Sequence, residues 1–210
     1  MGALPYDAVL CDLDGVLRLW DDHMADLDRA HGLPAGTLAA GAFRPERLHP
    51  AITGRVTDQQ WRAAVAEDLA GVCGSADRAR ALCAAWSRQT GRVDHEVLTL
   101  LAAARRRVPV VLVTNATTRL ESDLEALGLT GALDAVVNSA RVGVAKPDPE
   151  VYRIAARLAG VPVQRCLFVD DTEPNTAVAR ATGMAVLHYR QADGLRAALA
   201  PLTGRPAEAP

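Results

Sequence analysis

The sequence predicts an α/β fold, a Rossmann-like doubly wound parallel sheet with an inserted α-helical domain. Short apolar runs rich in valine and leucine alternate with helical stretches along most of the chain, as is typical of βαβ units. Residues 18–90 break this alternation, because they hold helical patterns and no convincing strand. A chain of 210 residues, half of them hydrophobic, can form one large domain or a core with a smaller insert.

The predicted strands are residues 8–11, 108–113, 135–137, 166–169 and 185–188. Helices are predicted between the later strands, at residues 119–127, 150–159 and 175–181. Thr118 and Glu121 have the spacing of a capping box, and Gly128 is placed to end that helix. Asp148 followed by Pro149 suits an N-cap and a first helical position. We therefore expect the first strand to join the C-terminal α/β part.

The inserted segment predicts packed helices. Thr57 and Gln60 form another capping-box pattern, and Ser75 is a further candidate N-cap. Apolar residues follow both at helical spacing, which indicates a core between helices. We expect a core domain of residues 1–17 and 91–205, a helical cap of residues 18–90 and a flexible tail at 206–210.

Composition and charge exclude several classes of protein. The net charge of -2 gives no basic patch of the kind that nucleic-acid binders show. No apolar run approaches the roughly 18 residues of a membrane span, and the N-terminus lacks a signal-peptide pattern. The four cysteines form no CxxC pair, so we expect buried thiols. A cytoplasmic protein without nucleic-acid or membrane partners is predicted.

Only one of the 23 basic residues is a lysine, Lys146; the other 22 are arginines. This bias makes the single lysine informative, because a position that keeps lysine can require a compact ammonium group. A solvated surface charge is the alternative interpretation.

Polar side chains follow the predicted strands. Asp12 and Asp14 follow the first strand, with Gly15 directly after them to allow a sharp exit. Thr114 and Asn115 follow the second, and Asp170 and Asp171 follow the fourth. The carboxyl ends of parallel strands form the ligand-binding edge of such a sheet, so we expect these groups to meet there.

Clustered carboxylates repel one another unless a cation joins them. Such hard oxygen ligands suit Mg²⁺, which commonly binds one or two carboxylates together with phosphate oxygens. Lys146 and Thr114 would add positive charge and a hydrogen bond for an anion. The sequence thus favours metal-assisted phosphoryl chemistry over simple turns and helix caps, which any one of these motifs alone could be.

Four segments in this order, DLDGVL, VTNAT, AKPDPEVY and FVDDTEPNTAVARATGM, resemble the motifs of the haloacid dehalogenase (HAD) superfamily. The resemblance covers nearly all of residues 7–188. It is closest to subfamily IA, and the helical insert matches the C1-type cap of that family.

The resemblance implies a role for each motif residue. Asp12 would be the nucleophile that forms an aspartyl-phosphate, and Asp14 would act as general acid and then general base. Thr114 and the Asn115 backbone would bind phosphoryl oxygens. Lys146 would hold the phosphate and orient Asp12.

The resemblance also implies a magnesium site. Its ligands would be Asp12, the backbone carbonyl of Asp14 and Asp171. Asp170 would bind the ion directly or through water.

Cap residues are expected to select the substrate. Arg18, beside the nucleophile loop, and Arg44, Arg47 and Arg55 in the cap are candidates for contacts to a second anionic group, with solvated surface arginines as the alternative. The three tryptophans are interpreted as packing residues.

The predicted function is a Mg²⁺-dependent phosphatase that acts on a small phosphorylated metabolite, as a monomer or homodimer. Haloacid dehalogenases lack an acid at the position of Asp14, so a dehalogenase is disfavoured. A phosphomutase of the beta-phosphoglucomutase type would use a cap histidine, for which His23 is the nearest candidate. A HAD-fold binding or regulatory module is the remaining alternative.

Overall fold

The computed structural model describes residues 5–203. The predicted tail at 206–210 lies outside the described residues. The strands, numbered in chain order, are β1 Ala8–Cys11, β2 Arg18–Leu19, β3 Arg92–Val93, β4 Val110–Thr114, β5 Ala135–Asn138, β6 Cys166–Asp170 and β7 Ala185–His188.

The helices fall into two groups. The insert contains α1 His23–Ala30, α2 Thr37–Ala42, α3 Pro45–Ile52, α4 Asp58–Cys73 and α5 Ala76–Ser87. The α/β part contains α6 His95–Arg105, α7 Leu120–Ala126, α8 Ser139–Val142, α9 Pro149–Ala159, α10 Glu173–Ala181 and α11 Ala192–Thr203, with a 3-10 turn at Val163–Arg165.

Five strands form one parallel sheet in the order β5–β4–β1–β6–β7. This confirms the predicted α/β fold and all five predicted strands, although β4 begins at Val110 rather than at residue 108. β1 lies between β4 and β6, and the chain winds outward from β1 in both directions. The carboxyl ends of β1, β4 and β6 are therefore neighbours, which is where ligands bind in open α/β sheets.

The sheet is buried on both faces because helices cover each side. Side chains alternate along β1, so Val9 and Cys11 join the apolar cluster that contains residues of α6, α7 and α11. Ala8 and Leu10 join the opposite cluster, which contains residues of α9 and α10. All four cysteines are buried and free, as expected.

The inserted helices α1 to α5, called the cap below, have their own apolar core, in which Trp61 and Trp86 meet edge to face. The predicted capping box at Thr57 is present, and Ser75 caps α5. The division at residues 17/18 and 90/91 stays a prediction.

The expectation that residues 18–90 contain no strand was wrong. Arg18–Leu19 pairs with Arg92–Val93 as a short antiparallel ribbon at the base of the cap. Two-residue strands are too short to produce a recognisable alternation of apolar residues.

The predicted capping box at Thr118 and Glu121 is also absent. Helix α7 begins after Arg119 without a side-chain cap. The Thr118 hydroxyl oxygen instead accepts the backbone N–H of Asp58, at the start of α4 in the cap (3.0 Å). The other signals hold: Asp148 caps α9, and Gly128 follows α7 with a positive φ of 68°.

Candidate active site

Asp12 is the first residue after β1, and its side chain is fixed by the fold. Its Oδ1 accepts hydrogen bonds from the Leu13 N–H and contacts the Lys146 Nζ, both at 2.7 Å. Within the described part of the chain, Oδ2 has no hydrogen-bond donor. Because Asp12 also lines an open cleft of about 390 Å³, this second oxygen is the one available to a ligand.

Lys146 lies buried between two carboxylates. Its Nζ is 2.7 Å from Asp12 and 2.7 Å from Asp170. Asp170 is fully buried and also accepts hydrogen bonds from the Asn175 amide (3.1 Å) and the Thr172 N–H (2.8 Å). The single lysine of the chain is thus a buried, doubly paired ammonium group rather than a solvated surface charge.

Burial and crowding change the electrostatics of this cluster. Burial raises the pKa of Asp12, Asp170 and Asp14 add to this increase, and Lys146 opposes it, so that the pKa lies at about 7. Burial tends to lower the pKa of Lys146, but the Asp12 and Asp170 carboxylates outweigh it and raise that pKa. A divalent cation beside Asp12 would favour its ionised form.

The carboxylates fit a magnesium ion. One oxygen each from Asp12, Asp170 and Asp171 lie within 4.8 Å of one another. Such an all-oxygen set suits a hard cation. Asp171 is exposed and lines the cleft, whereas the oxygens of Asp170 already face Lys146 and Asn175. This arrangement favours Asp171 over Asp170 as a direct ligand.

Gly15 makes room for Asp171. A Cβ at position 15 would lie 2.0 Å from the Asp171 Oδ2, and the φ of Gly15 is +79°. Only glycine combines this backbone conformation with such a close approach. Gly15, which was predicted to allow a sharp turn after β1, therefore also leaves the space that the Asp171 carboxylate occupies.

Asp14 lies at the edge of the cleft and is held by two side chains. Arg18 binds it through two nitrogens, at 2.6 and 2.8 Å, and the Trp20 indole N–H donates to it at 2.6 Å. Arg18 is 5% exposed and also contacts Asp123 at 3.3 Å. The Arg18 guanidinium, a candidate for contact with a phosphate or a second anionic group of the substrate, thus has its donors directed at Asp14 and Asp123. Substrate binding by Arg18 stays a prediction.

Thr114 is the last residue of β4, Asn115 follows it, and both line the same cleft as Asp12. The Asn115 amide donates to the Lys146 carbonyl (2.8 Å) and accepts the Lys146 N–H (2.7 Å). This reciprocal pair fixes the backbone of Lys146. Phosphoryl binding by the Asn115 backbone stays a prediction.

Three supporting residues escaped the sequence reasoning. Asn175 holds Asp170, as described above. Ser139 is fully buried and exchanges hydrogen bonds with the Ala116 backbone, and Asn138 donates to the Thr117 carbonyl. Asn138 and Ser139 therefore brace the loop after β4. Their only signal in the sequence is a pair of polar residues directly after an apolar strand, VVNS.

A second chamber of about 400 Å³ lies between the cap and the core and shares Asp14 and Asn115 with the cleft. His23, the histidine considered for a phosphomutase, lines this chamber and stacks on Trp20. Arg44 and Arg47 pair with Asp68 instead, and neither they nor Arg55 line the chamber.

The fold and the site define a class of proteins with a Rossmann-like core, an inserted set of helices and a carboxylate–lysine cluster at the sheet edge. A family model described as haloacid dehalogenase-like hydrolase matches residues 6–183. The chain belongs to this family, and it is a HAD-like hydrolase.

Individual relatives agree with this assignment. The plasmid phosphoglycolate phosphatase of Cupriavidus necator is 31% identical over 201 residues, which are 90% of this chain and 82% of the relative. The phosphoserine phosphatase of Thermus thermophilus is 34% identical over 116 residues, 53% of this chain and 47% of that protein. The chain spans less than half the length of this and two further curated relatives that it matches.

Solved structures share the fold. The HAD family enzyme BT-2542 of Bacteroides thetaiotaomicron, in complex with magnesium and inorganic phosphate, has a TM-score of 0.71 at 21% identity and covers 88% of this chain and 94% of its own. No helix within residues 5–203 is long and apolar enough to cross a membrane.

Proposed function

We propose that the protein is a Mg²⁺-dependent phosphatase that hydrolyses a small phosphomonoester through an aspartyl-phosphate on Asp12. The observation that carries the proposal is the state of Asp12, which lines the cleft: one carboxylate oxygen is held by Leu13 and Lys146, and the other has no hydrogen-bond donor within the described residues. The names of the phosphoserine and phosphoglycolate phosphatases that the chain resembles support it.

In the first step, the free oxygen of Asp12 attacks phosphorus, and the bond to the ester oxygen breaks. Asp14 lines both the cleft and the chamber, so it lies between the phosphoryl group and the leaving group. For this step Asp14 is protonated and released from Arg18 and the Trp20 N–H, which otherwise hold it. It donates its proton to the departing oxygen and thereby becomes a carboxylate. The products of this step are the alcohol and the aspartyl-phosphate.

In the second step, Asp14 takes a proton from water, which attacks phosphorus and displaces the Asp12 carboxylate. Inorganic phosphate leaves, and both aspartates return to their starting state. Lys146, the Thr114 hydroxyl and the Asn115 backbone would hold the phosphoryl oxygens throughout. Magnesium, held by Asp12, Asp171 and the Asp14 carbonyl, with Asp170 direct or through water, would neutralise phosphoryl charge.

The test is phosphate release from p-nitrophenyl phosphate and a panel of phosphorylated metabolites, with Mg²⁺ and with EDTA. We expect release that depends on metal and that disappears in Asp12→Asn, while circular dichroism shows an intact fold. Release of a halide from a 2-haloacid by the wild-type protein, which has Asp14, would instead indicate a dehalogenase. Failure of the folded protein to release phosphate from any ester would contradict the proposal.

A further inference from the structure

We propose that the substrate carries a bulky apolar leaving group, and that the chamber between the cap and the core binds it. This inference rests on the proposed function and names the substrate class of that site. The chamber adjoins the phosphate cleft through Asp14 and Asn115, and its volume is about 400 Å³. That volume falls within the range of roughly 300–1,000 Å³ that small-molecule sites occupy, far more than a two-carbon acid fills.

The walls of the chamber are mainly apolar and unusually aromatic. Aromatic residues make up only 4% of the sequence, yet all three tryptophans line this chamber, together with Phe43. Trp61 and Trp86 are buried in the cap core, but Trp20 is 37% exposed and Phe43 is 49% exposed. Leu48 and Ile52 add aliphatic surface. An apolar group placed here would cover exposed rings and gain their burial energy.

The charges in the chamber disfavour a second anionic group. Arg18 is bound by Asp14 and Asp123, as described above. Arg62 is bound by Asp58 at 2.7 Å, and its guanidinium lies 3.9 Å above the Trp86 ring. Three carboxylates thus line the chamber beside these two guanidiniums, and each guanidinium is paired with at least one of them. The Arg62 Nη1, which has no hydrogen-bond partner among the described residues, is buried away from solvent. A carboxylate on the substrate would lose its hydration here without gaining an open cation.

The first experiment compares kcat/KM for ethyl, octyl and 3-phenylpropyl phosphate and for phosphoglycolate, in the presence of Mg²⁺. The three alkyl esters share a primary alcohol as leaving group, so differences between them report binding in the chamber. We expect octyl or 3-phenylpropyl phosphate to exceed both ethyl phosphate and phosphoglycolate by at least about tenfold. Whichever of the two apolar esters has the higher kcat/KM shows whether the chamber binds an aliphatic chain or an aromatic ring better.

The outcomes separate this inference from the proposed function. If ethyl phosphate or phosphoglycolate is hydrolysed as well as the apolar esters, the phosphatase assignment holds and the apolar leaving group is wrong. If no ester is hydrolysed, p-nitrophenyl phosphate included, the proposed function itself fails.

A pair of variants tests the location of the leaving group. Phe43→Ala removes an exposed ring from the chamber, so the ratio of kcat/KM for 3-phenylpropyl phosphate to that for ethyl phosphate should fall at least about threefold. Val72→Ala is the matched control, because Val72 is 53% exposed on the same cap but lies outside the chamber. Equal ratios in wild type and Phe43→Ala would overturn the proposal.

Discussion

Gly15 and Asp171 come from parts of the chain that are distant in sequence and meet at the edge of the sheet. The missing side chain of Gly15 leaves the space that the Asp171 carboxylate occupies. A cation held by Asp171 beside Asp12 would therefore depend on a glycine that contributes no ligand of its own. Few positions in the molecule join backbone conformation to site chemistry so directly.

Gly15→Ala should lower kcat/KM by at least about 100-fold, because the new Cβ displaces Asp171 and the positive φ becomes strained. Gly128→Ala is the matched control: its φ is 68°, but nothing lies within 4 Å of the added Cβ. It should lose about 1 kcal/mol of stability and keep its activity. Phosphatase assays and thermal melts of both variants measure this, and equal activity of the two would contradict the explanation.

The pairing of Asn115 with the Lys146 backbone is the second feature at this scale. Asn115→Ala removes both hydrogen bonds, so Lys146 should lose its fixed position between Asp12 and Asp170. We expect kcat to fall by about 10- to 100-fold with the fold retained. Steady-state kinetics with circular dichroism test this; wild-type kcat would show that the two carboxylates alone suffice to hold the ammonium group.

At the scale of elements, the start of α4 connects the cap to the loop after β4. Asp58 accepts a hydrogen bond from the Thr117 hydroxyl (2.9 Å), and its backbone N–H donates to Thr118 (3.0 Å). Arg119 of the core also donates to the Ser87 carbonyl at the end of α5. These contacts hold the cap over the chamber, so the same residues that begin a cap helix also close the site.

Two threonines at this junction should have separable effects. Thr118→Val removes an acceptor that joins the cap to the core, so we expect KM to rise about fivefold, the equivalent of one net hydrogen bond. Thr57→Val removes the side-chain hydrogen bond at the N-terminus of α4. This variant should instead lose about 1 kcal/mol of unfolding free energy, with little change in KM. Kinetics and denaturant unfolding of both variants decide; a Thr118→Val protein with unchanged KM would show that this contact does not hold the cap.

At the scale of the whole molecule, the carboxylate cluster links metal binding to stability. Asp12, Asp170 and Asp171 repel one another, and the one cationic side chain paired with them within residues 5–203 is the Lys146 ammonium. A cation bound to the folded state alone stabilises it by mass action. The protein should therefore be more stable with its metal than without.

Millimolar Mg²⁺ should raise the melting temperature measured by differential scanning calorimetry, and EDTA should reverse the effect. Asp171→Asn should abolish this increase, because it removes the exposed ligand, whereas Glu121→Gln, at an exposed acid outside the cluster, should keep it. If the melting temperature of the wild type does not change on addition of Mg²⁺, the cluster does not bind the ion.

The sequence by itself determined the α/β fold, and it predicted a helical insert and a set of candidate site residues. The spacing of apolar residues predicts strands and helices because each element must bury one face in the core. The candidate site residues Asp12, Asp14, Lys146 and Asp171 lie in short contiguous motifs that can be recognised in the sequence. Short elements could not be predicted from the sequence: the strand Arg18–Leu19 has too few residues to show an alternation of apolar and polar side chains.

Only the tertiary structure decided which groups meet. Thr118 has the local spacing of a cap for its own helix, yet it serves a helix of the insert, because the cap packs on the core there. The sequence also predicts that Arg18 contacts an anionic group of the substrate, but it does not indicate the carboxylates of Asp14 and Asp123, with which Arg18 pairs in the fold. Such contacts join residues distant in sequence, and their partners are set by packing that no local pattern encodes.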